Sequence, residues 1–293
     1  MRILLTGSTG FLGSALAHHW VAQGHELLLL ARSGSRTTRI DGLLERARLV
    51  RMATPDAAAA AVPDFAPDAI VHTACAYGRA GETPVDVLDA NLRLGTVLLH
   101  AALEMSGDRP TVFLNTGTVL APDVSVYALS KTQFSAWGAT LATQSPQRLQ
   151  FIDLRLQQMY GPGDDRSKFT THVIEACRQN EPRLALTLGE QRRDFIYIDD
   201  VVQAYDVVLA HQADFAVSDA IEVGSGWPVR MRDFVELAKQ LAAASTELAF
   251  GAVPYRANEA MLCVADTKRL VGLGWHPTVG LADGLARMLA MRH

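Results

Sequence analysis

Tyr127 and Lys131 stand four residues apart, a spacing that puts both side chains on one face of a helix. A phenol with its usual pKa of about 10 exchanges protons poorly near neutrality, and an ammonium beside it stabilises the phenolate. The pair can therefore serve as a general acid or base. Far upstream, Gly7-Ser8-Thr9-Gly10-Phe11-Leu12-Gly13 spaces its glycines as G-x-x-G-x-x-G. Missing side chains let a pyrophosphate approach the backbone, and a helix that begins at the turn meets it with N–H groups and a positive dipole end. Gly7, Thr9, Gly10, Phe11, Leu12 and Gly13 are the expected contacts. A tight turn without any ligand uses the same glycines, so the motif counts only where a strand precedes it and a helix follows.

Both flanks are there. Arg2 to Thr6 is a short apolar run, as a buried parallel strand would be, and Phe11, Leu12, Ala15, Leu16 and Trp20 recur at helical spacing up to Gly24. A second strand is read over Glu26 to Leu30, and after it comes Ala31-Arg32-Ser33-Gly34-Ser35-Arg36. A carboxylate at this place would hold a ribose 2′-hydroxyl and select NAD. Two guanidinium groups and two small hydroxyls suit a 2′-phosphate instead, so Arg32, Ser33 and Arg36 point to NADP(H), with NAD and a solvated basic loop as the alternatives.

Further strands are expected at Arg48 to Met52, Asp68 to His72, Thr111 to Leu114 and Phe151 to Leu154, with helices at Val85 to Leu103 and Tyr127 to Ala142. Such alternation predicts an α/β, doubly wound parallel (Rossmann) sheet covered on both faces. Thr116 then falls at the C-terminal end of a strand, where ligands gather in an open sheet. After Arg155 the pattern loosens. The expected division is a dinucleotide-binding domain over 1–156, to which 194–224 returns, and a smaller C-terminal lobe from 157–193 and 225–293. Helices over Met231 to Ala244, Asp266 to Val271 and Leu281 to Met291 belong to that lobe.

Composition bounds the rest. In 293 residues, 49% belong to the hydrophobic set and 20% are charged, enough apolar material for a packed core. A net charge of -4 without long basic clusters argues against nucleic acid. The aliphatic stretch around Leu27 to Ala31 is far short of a membrane helix, which needs roughly 18 residues. Cys75, Cys177 and Cys263 are widely separated and lack metal or disulfide spacing, so no metal is expected and the thiols read as free in a reducing cytoplasm.

The glycine turn, Thr116, the Tyr127/Lys131 pair and Arg193-Asp194-Phe195-Ile196-Tyr197-Ile198-Asp199-Asp200-Val201 together resemble the extended short-chain dehydrogenase/reductases, the NAD-dependent epimerase/dehydratase family. Pro67 to Ala74, Asn91, Tyr160-Gly161-Pro162-Gly163 and Gly272 to Pro277 extend the resemblance over nearly the whole chain. It implies a nucleoside-diphosphate sugar as substrate, Tyr127 as the proton-transfer residue, Lys131 holding the nicotinamide ribose and lowering the Tyr127 pKa, and Thr116 hydrogen-bonding the reacting oxygen. Ala74 is counted with the cofactor contacts, and Thr118, Lys168, His172 and Arg193 with the substrate contacts. Arg193 would bind the diphosphate, or form a salt bridge to Asp199 or Asp200. Asn91 would reach Lys131 through water, or simply bend a buried helix.

Departures from the family pattern narrow the reaction. Dehydratases of the group place an acid directly after the strand-end Thr, where this chain has Gly117 and Thr118. Epimerases acting beside a ketone add a Cys close to the same spot, and the nearest thiol, Cys75, belongs to the loop after the fourth strand. His172 then lacks that partner and is expected to hydrogen-bond a sugar hydroxyl. Asn115 to Thr118, Tyr127 to Phe134, Trp137, Met159 to Asp165, Lys168-Phe169 and Leu186 to Phe195 carry a closer likeness to nucleotide-sugar 4-ketoreductases that make dideoxy sugars. The expectation is an NADPH-dependent 4-ketoreductase. A C4 epimerase holding NAD permanently and a non-catalytic dinucleotide sensor are the alternatives. Leu92, Leu99, Phe134 and Leu141 read as more apolar surface than one sheet face needs, and the family implies that their helices pair across a homodimer.

Overall fold

The computed structural model describes residues 1–79, 81–105 and 107–291. Strands and helices alternate from the start: β1 (Arg2–Thr6), α1 (Phe11–Ala22), β2 (Glu26–Arg32), β3 (Arg48–Met52), α2 (Ala61–Phe65), β4 (Ala69–His72), α3 (Pro84–Leu88), α4 (Leu94–Glu104), β5 (Thr111–Thr118), α5 (Val126–Gln144) and β6 (Leu149–Leu156). The chain continues through β7 (Gln158–Tyr160), α6 (Phe169–Arg178), β8 (Arg183–Leu186), β9 (Arg192–Tyr197), α7 (Ile198–Ala210) and β10 (Ser218–Val223). It ends with β11 (Pro228–Arg230), α8 (Met231–Leu241), β12 (Glu247–Phe250), β13 (Leu262–Cys263), α9 (Lys268–Gly272) and α10 (Leu281–Ala290).

Seven strands form one sheet in the order β3-β2-β1-β4-β5-β6-β10, parallel at each junction from β3 to β5. A chain that starts in the middle and winds outward both ways is the doubly wound topology expected. Ile3, Leu4 and Leu5 of β1 and Leu27 to Leu30 of β2 are buried without alternation, because both faces of the sheet are covered. Phe113 of β5, Phe134 of α5 and Phe151 of β6 meet in the core with centroids 5.6 to 6.1 Å apart. Two helical glycines allow this approach. A Cβ on Gly95 of α4 would overlap the Phe134 ring, and one on Gly138 of α5 would overlap Phe151.

Three local readings change. The helix expected over Val85 to Leu103 is interrupted by a π turn, Asp89–Arg93, with Asn91 buried in it. Strand β5 runs on to Thr118, so Thr116 lies inside the strand and Thr118 at its end. Leu99 and Phe134 are not surplus apolar surface but fully buried core, and Leu92 and Leu141 pack against it.

The chain divides into two compact units, Met1–Arg155 with Val208–Ile221, and Leu156–Val207 with Glu222–His293. The stretch returning to the first unit is thus shorter than 194–224, because β9 pairs with β7, β11 and β13 in a separate sheet. Within the second unit two buried aspartates act as hubs. The Asp194 carboxylate accepts from the backbone N–H of Ser225, Gly226 and Ala265, and from the Ser225 hydroxyl. Asp200 does the same for Thr278 and Val279. Among the described residues no helix is long and apolar enough to cross a membrane, and no group of three or more His, Cys, Asp or Glu could hold a metal ion.

Candidate active site

The turn between β1 and α1 is locked to the end of β4. Thr73 Oγ1 donates to the Thr6 carbonyl (2.8 Å), and Ala74 N donates to Thr6 Oγ1 (3.2 Å). Gly7 has φ +65°, and a Cβ there would lie 2.6 Å from Thr73 Oγ1 and 2.7 Å from Ala74 N; one on Gly13 would strike the Gly7 carbonyl. These two glycines are demanded by the turn itself. What fits a dinucleotide is the helix end. Exposed Gly10 caps α1 with no side-chain hydrogen bond, and the first turn, from Phe11 through buried Leu12 and Gly13, carries no acid. The positive end of the helix is left for an anion, with half-buried Thr9 just before it.

Arg32 closes β2 and pairs in register with Met52. Ser33 donates to the Met52 carbonyl through both its N–H and its hydroxyl, each at 2.9 Å. Arg51, which the sequence did not single out, donates to the carbonyls of Ser33 and Ser35 (3.2 and 3.0 Å) and so clamps the loop. Arg32 and Arg36 are exposed. Arg32 helps to hold the Asp86 carboxyl below its usual range, after the larger effect of the Thr83 side chain and backbone.

Helix α5 starts at a Ser125 cap whose hydroxyl accepts from Ala128 N at 3.2 Å. Tyr127 is half-buried in the first turn and its ring lies 4.8 Å from that of Tyr77. One turn on, Lys131 is 1% exposed, and its Nζ has no hydrogen-bond partner among the described residues. Such an orphan buried ammonium suits a group that brings hydroxyls to it. Burial pushes the Tyr127 phenol well above its ordinary pKa, and the Cys75 charge adds to this; a hydrogen bond from Thr118 and the charge of Arg79 pull it back. Thr118 and then Arg79 are the groups that oppose the effect of burial. Burial lowers the Lys131 pKa, while Cys75 and Asp153 raise it.

Cys75 is exposed and acts electrostatically on both members of the pair, so the thiol set aside as a loop residue stands near the acid–base groups. Asn91 spends its amide on protein. Its Oδ1 accepts from Ala76 N (2.7 Å), and its Nδ2 donates to Ala76 O and to Ser130 Oγ, both at 2.9 Å. It ties the loop after β4 to α5 next to Lys131. His72, fully buried, has its Nδ1 2.9 Å from Thr6 Oγ1, and burial and then Lys131 hold its pKa well down. Asp153 on β6 accepts from Asn115 Nδ2 (2.7 Å) and Arg155 Nε (3.1 Å). Neither His72 nor Asp153 could be assigned from periodicity, since His72 merely ends β4 and Asp153 sits within the buried run of β6.

Thr116, Thr118, Tyr127 and Lys131 all belong to the first unit, while Lys168, His172 and Arg193 belong to the second. Lys168 Nζ is 3.0 Å from the buried Asp164 carboxylate. His172 is exposed on α6. Arg193 is ion-paired with Glu259, not with Asp199 or Asp200; Asp199 pairs with Arg287 and Asp200 holds the Thr278 turn.

The family described as "NAD dependent epimerase/dehydratase family" matches residues 3–224. The chain is 31% identical to CDP-abequose synthase of Salmonella muenchen, over 99% of this chain and 98% of that one. The UDP-glucose 4-epimerase of Thermotoga maritima, solved with UDP-glucose, shares the fold with a TM-score of 0.84 at 20% identity, over 99% of this chain and 97% of that one. The UDP-glucose 4-epimerase of Thermus thermophilus, solved with NAD, does so with 0.80 at 24% identity, over 99% and 98%.

Proposed function

From the premise that this chain belongs to the NAD dependent epimerase/dehydratase family, we propose that it is an NADPH-dependent reductase of a nucleoside-diphosphate 4-keto-6-deoxy sugar. The observation that carries the reading is Tyr127, hydrogen-bonded by Thr118, one helical turn from a buried ammonium with no partner of its own. Its relative CDP-abequose synthase supports a deoxysugar substrate.

A bound nicotinamide dinucleotide would supply the hydride. The β1–α1 turn, with Gly10 and the first turn of α1, would hold its diphosphate, Ala74 would flank it, and Arg32 and Arg36 would hold the 2′-phosphate, joined by Ser33 once its hydroxyl turns from the Met52 carbonyl. Lys131, whose Nζ has no partner among the described residues, would donate to the nicotinamide ribose. Thr116 orients the sugar carbonyl, and Tyr127, which burial keeps protonated, gives its proton to that oxygen while Thr118 steadies the phenol. Lys168 and Arg193 take the substrate diphosphate, Arg193 releasing Glu259 to do so, and His172 meets a sugar hydroxyl. A dehydratase is opposed by packing as well as sequence. A Cβ at Gly117 would lie 2.9 Å from Asp153 Cγ, so an added acid does not fit there.

Purified protein should oxidise NADPH in the presence of CDP-, dTDP-, GDP- or UDP-linked 4-keto-6-deoxy sugars, followed at 340 nm, for at least one base. Tyr127→Phe should lower turnover by about a hundredfold or more with dinucleotide binding nearly intact. Retained turnover in that variant overturns the assignment. So does protein that purifies with tightly held NAD and interconverts C4 epimers.

A further inference from the structure

The π turn between α3 and α4 interrupts a helix that its residues would otherwise continue, and such turns occur mostly where a site has a use for them. Its buried Asn91 shows the use. The Asn91 amide takes both backbone groups of Ala76, accepting from the N–H (2.7 Å) and donating to the carbonyl (2.9 Å), and donates as well to Ser130 Oγ (2.9 Å). Ser130 in turn donates to the backbone carbonyl of Tyr127 (2.9 Å). One side chain thus joins the residue before Tyr77 to the helical turn that carries Tyr127.

What the join brings together is a pair of rings. Tyr77 and Tyr127 lie 4.8 Å apart between centroids, with 33° between their planes, inside the range of favourable aromatic pairs. Burial does not hold Tyr77 there, for it is 37% exposed on a loop. Its backbone is held from both sides instead. Asn91 bonds the residue before it, and the residue after it is Gly78, whose φ of +68° suits glycine alone and where a Cβ would stand 3.3 Å from Val87 of α3. The Tyr127 phenol is hydrogen-bonded at its oxygen by Thr118. Ring and oxygen are therefore held by different segments.

We propose that Tyr77 is a positioning residue for Tyr127, a platform that the Asn91 clamp lays against the phenol so that its oxygen keeps one direction through proton transfer. The inference deepens the ketoreductase reading and rests on it for the role of Tyr127, yet the ring contact can be tested without substrate.

The chain has six tyrosines, so protein labelled with ring-13C tyrosine gives few aromatic signals, and Tyr127→Phe identifies the one that belongs to Tyr127. Tyr77→Leu should shift that signal through loss of the neighbouring ring, whereas Tyr77→Phe, which keeps the ring, should leave it close to wild type. Asn91→Ala should shift it too, by releasing the loop. In turnover, Tyr77→Leu should lower kcat by about tenfold with the KM for the sugar close to wild type, as expected when the proton donor is held less well in the transition state. Tyr77→Phe should bring kcat back to within about twofold of wild type. Wild-type kcat in Tyr77→Leu overturns the proposal, and so does an unmoved Tyr127 signal. A raised KM at unchanged kcat would make Tyr77 a substrate contact instead, and a Tyr77→Phe protein as slow as Tyr77→Leu would place the effect in the hydroxyl; either result overturns the platform. Should Asn91→Ala not fold, the two Tyr77 variants, at a part-exposed site, decide. Failure here leaves the Tyr127→Phe result standing, and loss of the ketoreductase reading leaves the shift of the Tyr127 signal as it is.

Discussion

Tyr127 is set up to hold a proton until something draws it off. Burial raises its pKa and the Thr118 hydrogen bond is the main opposing effect, so Thr118→Val, nearly isosteric, should leave the fold intact and raise that pKa further. Turnover should fall by about tenfold, because a weaker acid transfers its proton less readily; kcat equal to wild type would show that Thr118 has no part in proton transfer. At the other end of the site, Arg32→Asp should weaken NADPH far more than NADH in fluorescence titrations, through loss of the 2′-phosphate contact and repulsion from Asp86. Equal weakening of both would mean that the loop does not read the phosphate. At this scale the sequence was legible where chemistry imposes spacing, as with Tyr127/Lys131 and the glycine turn. It set Cys75 aside as a loop thiol and was silent on Tyr77, Arg79, Arg51 and Asp153, whose contacts are made only when distant segments meet.

Helix α5 delivers the Tyr/Lys pair, and its position against the sheet depends on side chains that are missing. Gly138 lies on Phe151 and Gly95 on Phe134, both in the packed core, so Gly138→Ala should destabilise by about 1–3 kcal/mol through overpacking despite its better helix propensity. A denaturant midpoint equal to or above wild type would show that the ring can move aside. Strand β4 contributes His72, whose folded pKa lies well below its ordinary 6.5. The unfolded chain then takes up a proton that the folded one refuses as pH falls below about 6.5, so this contribution is complete above that pH and is lost with acid. The slope approaches about 1.4 kcal/mol per pH unit. His72→Phe should flatten the stability curve between pH 6.5 and 5 relative to wild type; parallel curves would contradict the assignment. Element order was legible because buried parallel strands are short apolar runs and helices keep their period. The π turn at Asp89–Arg93 was not, since its residues continue the helical pattern, and a glycine inside a helix reads as weakness when its cause is a ring on another element.

At the scale of the molecule, the first unit follows from repeated strand and helix, while the second is held by Asp194 and Asp200, whose partners lie 31 to 79 residues away in the chain. Such hubs have no local signature, which is why the lobe could be placed but not drawn. The surface of the first unit holds a different kind of signal. Val126, Leu129 and Trp137 of α5 fall on one helical face and are 52%, 43% and 52% exposed. Val85 and Leu88 of α3 are exposed as well. These residues, not the buried Leu99 and Phe134, are the apolar surface that a partner helix pair would cover. A second copy packing α4 and α5 into a four-helix bundle, as the family resemblance implies, would bury them at once. Light scattering at micromolar concentration should then give twice the chain mass, and Trp137→Lys, which places a charge in that face without touching Tyr127 or Lys131, should shift the protein toward monomer. A wild-type monomer at that concentration, or a Trp137→Lys dimer of undiminished stability on dilution, would mean that the stripe is covered by something else or by nothing.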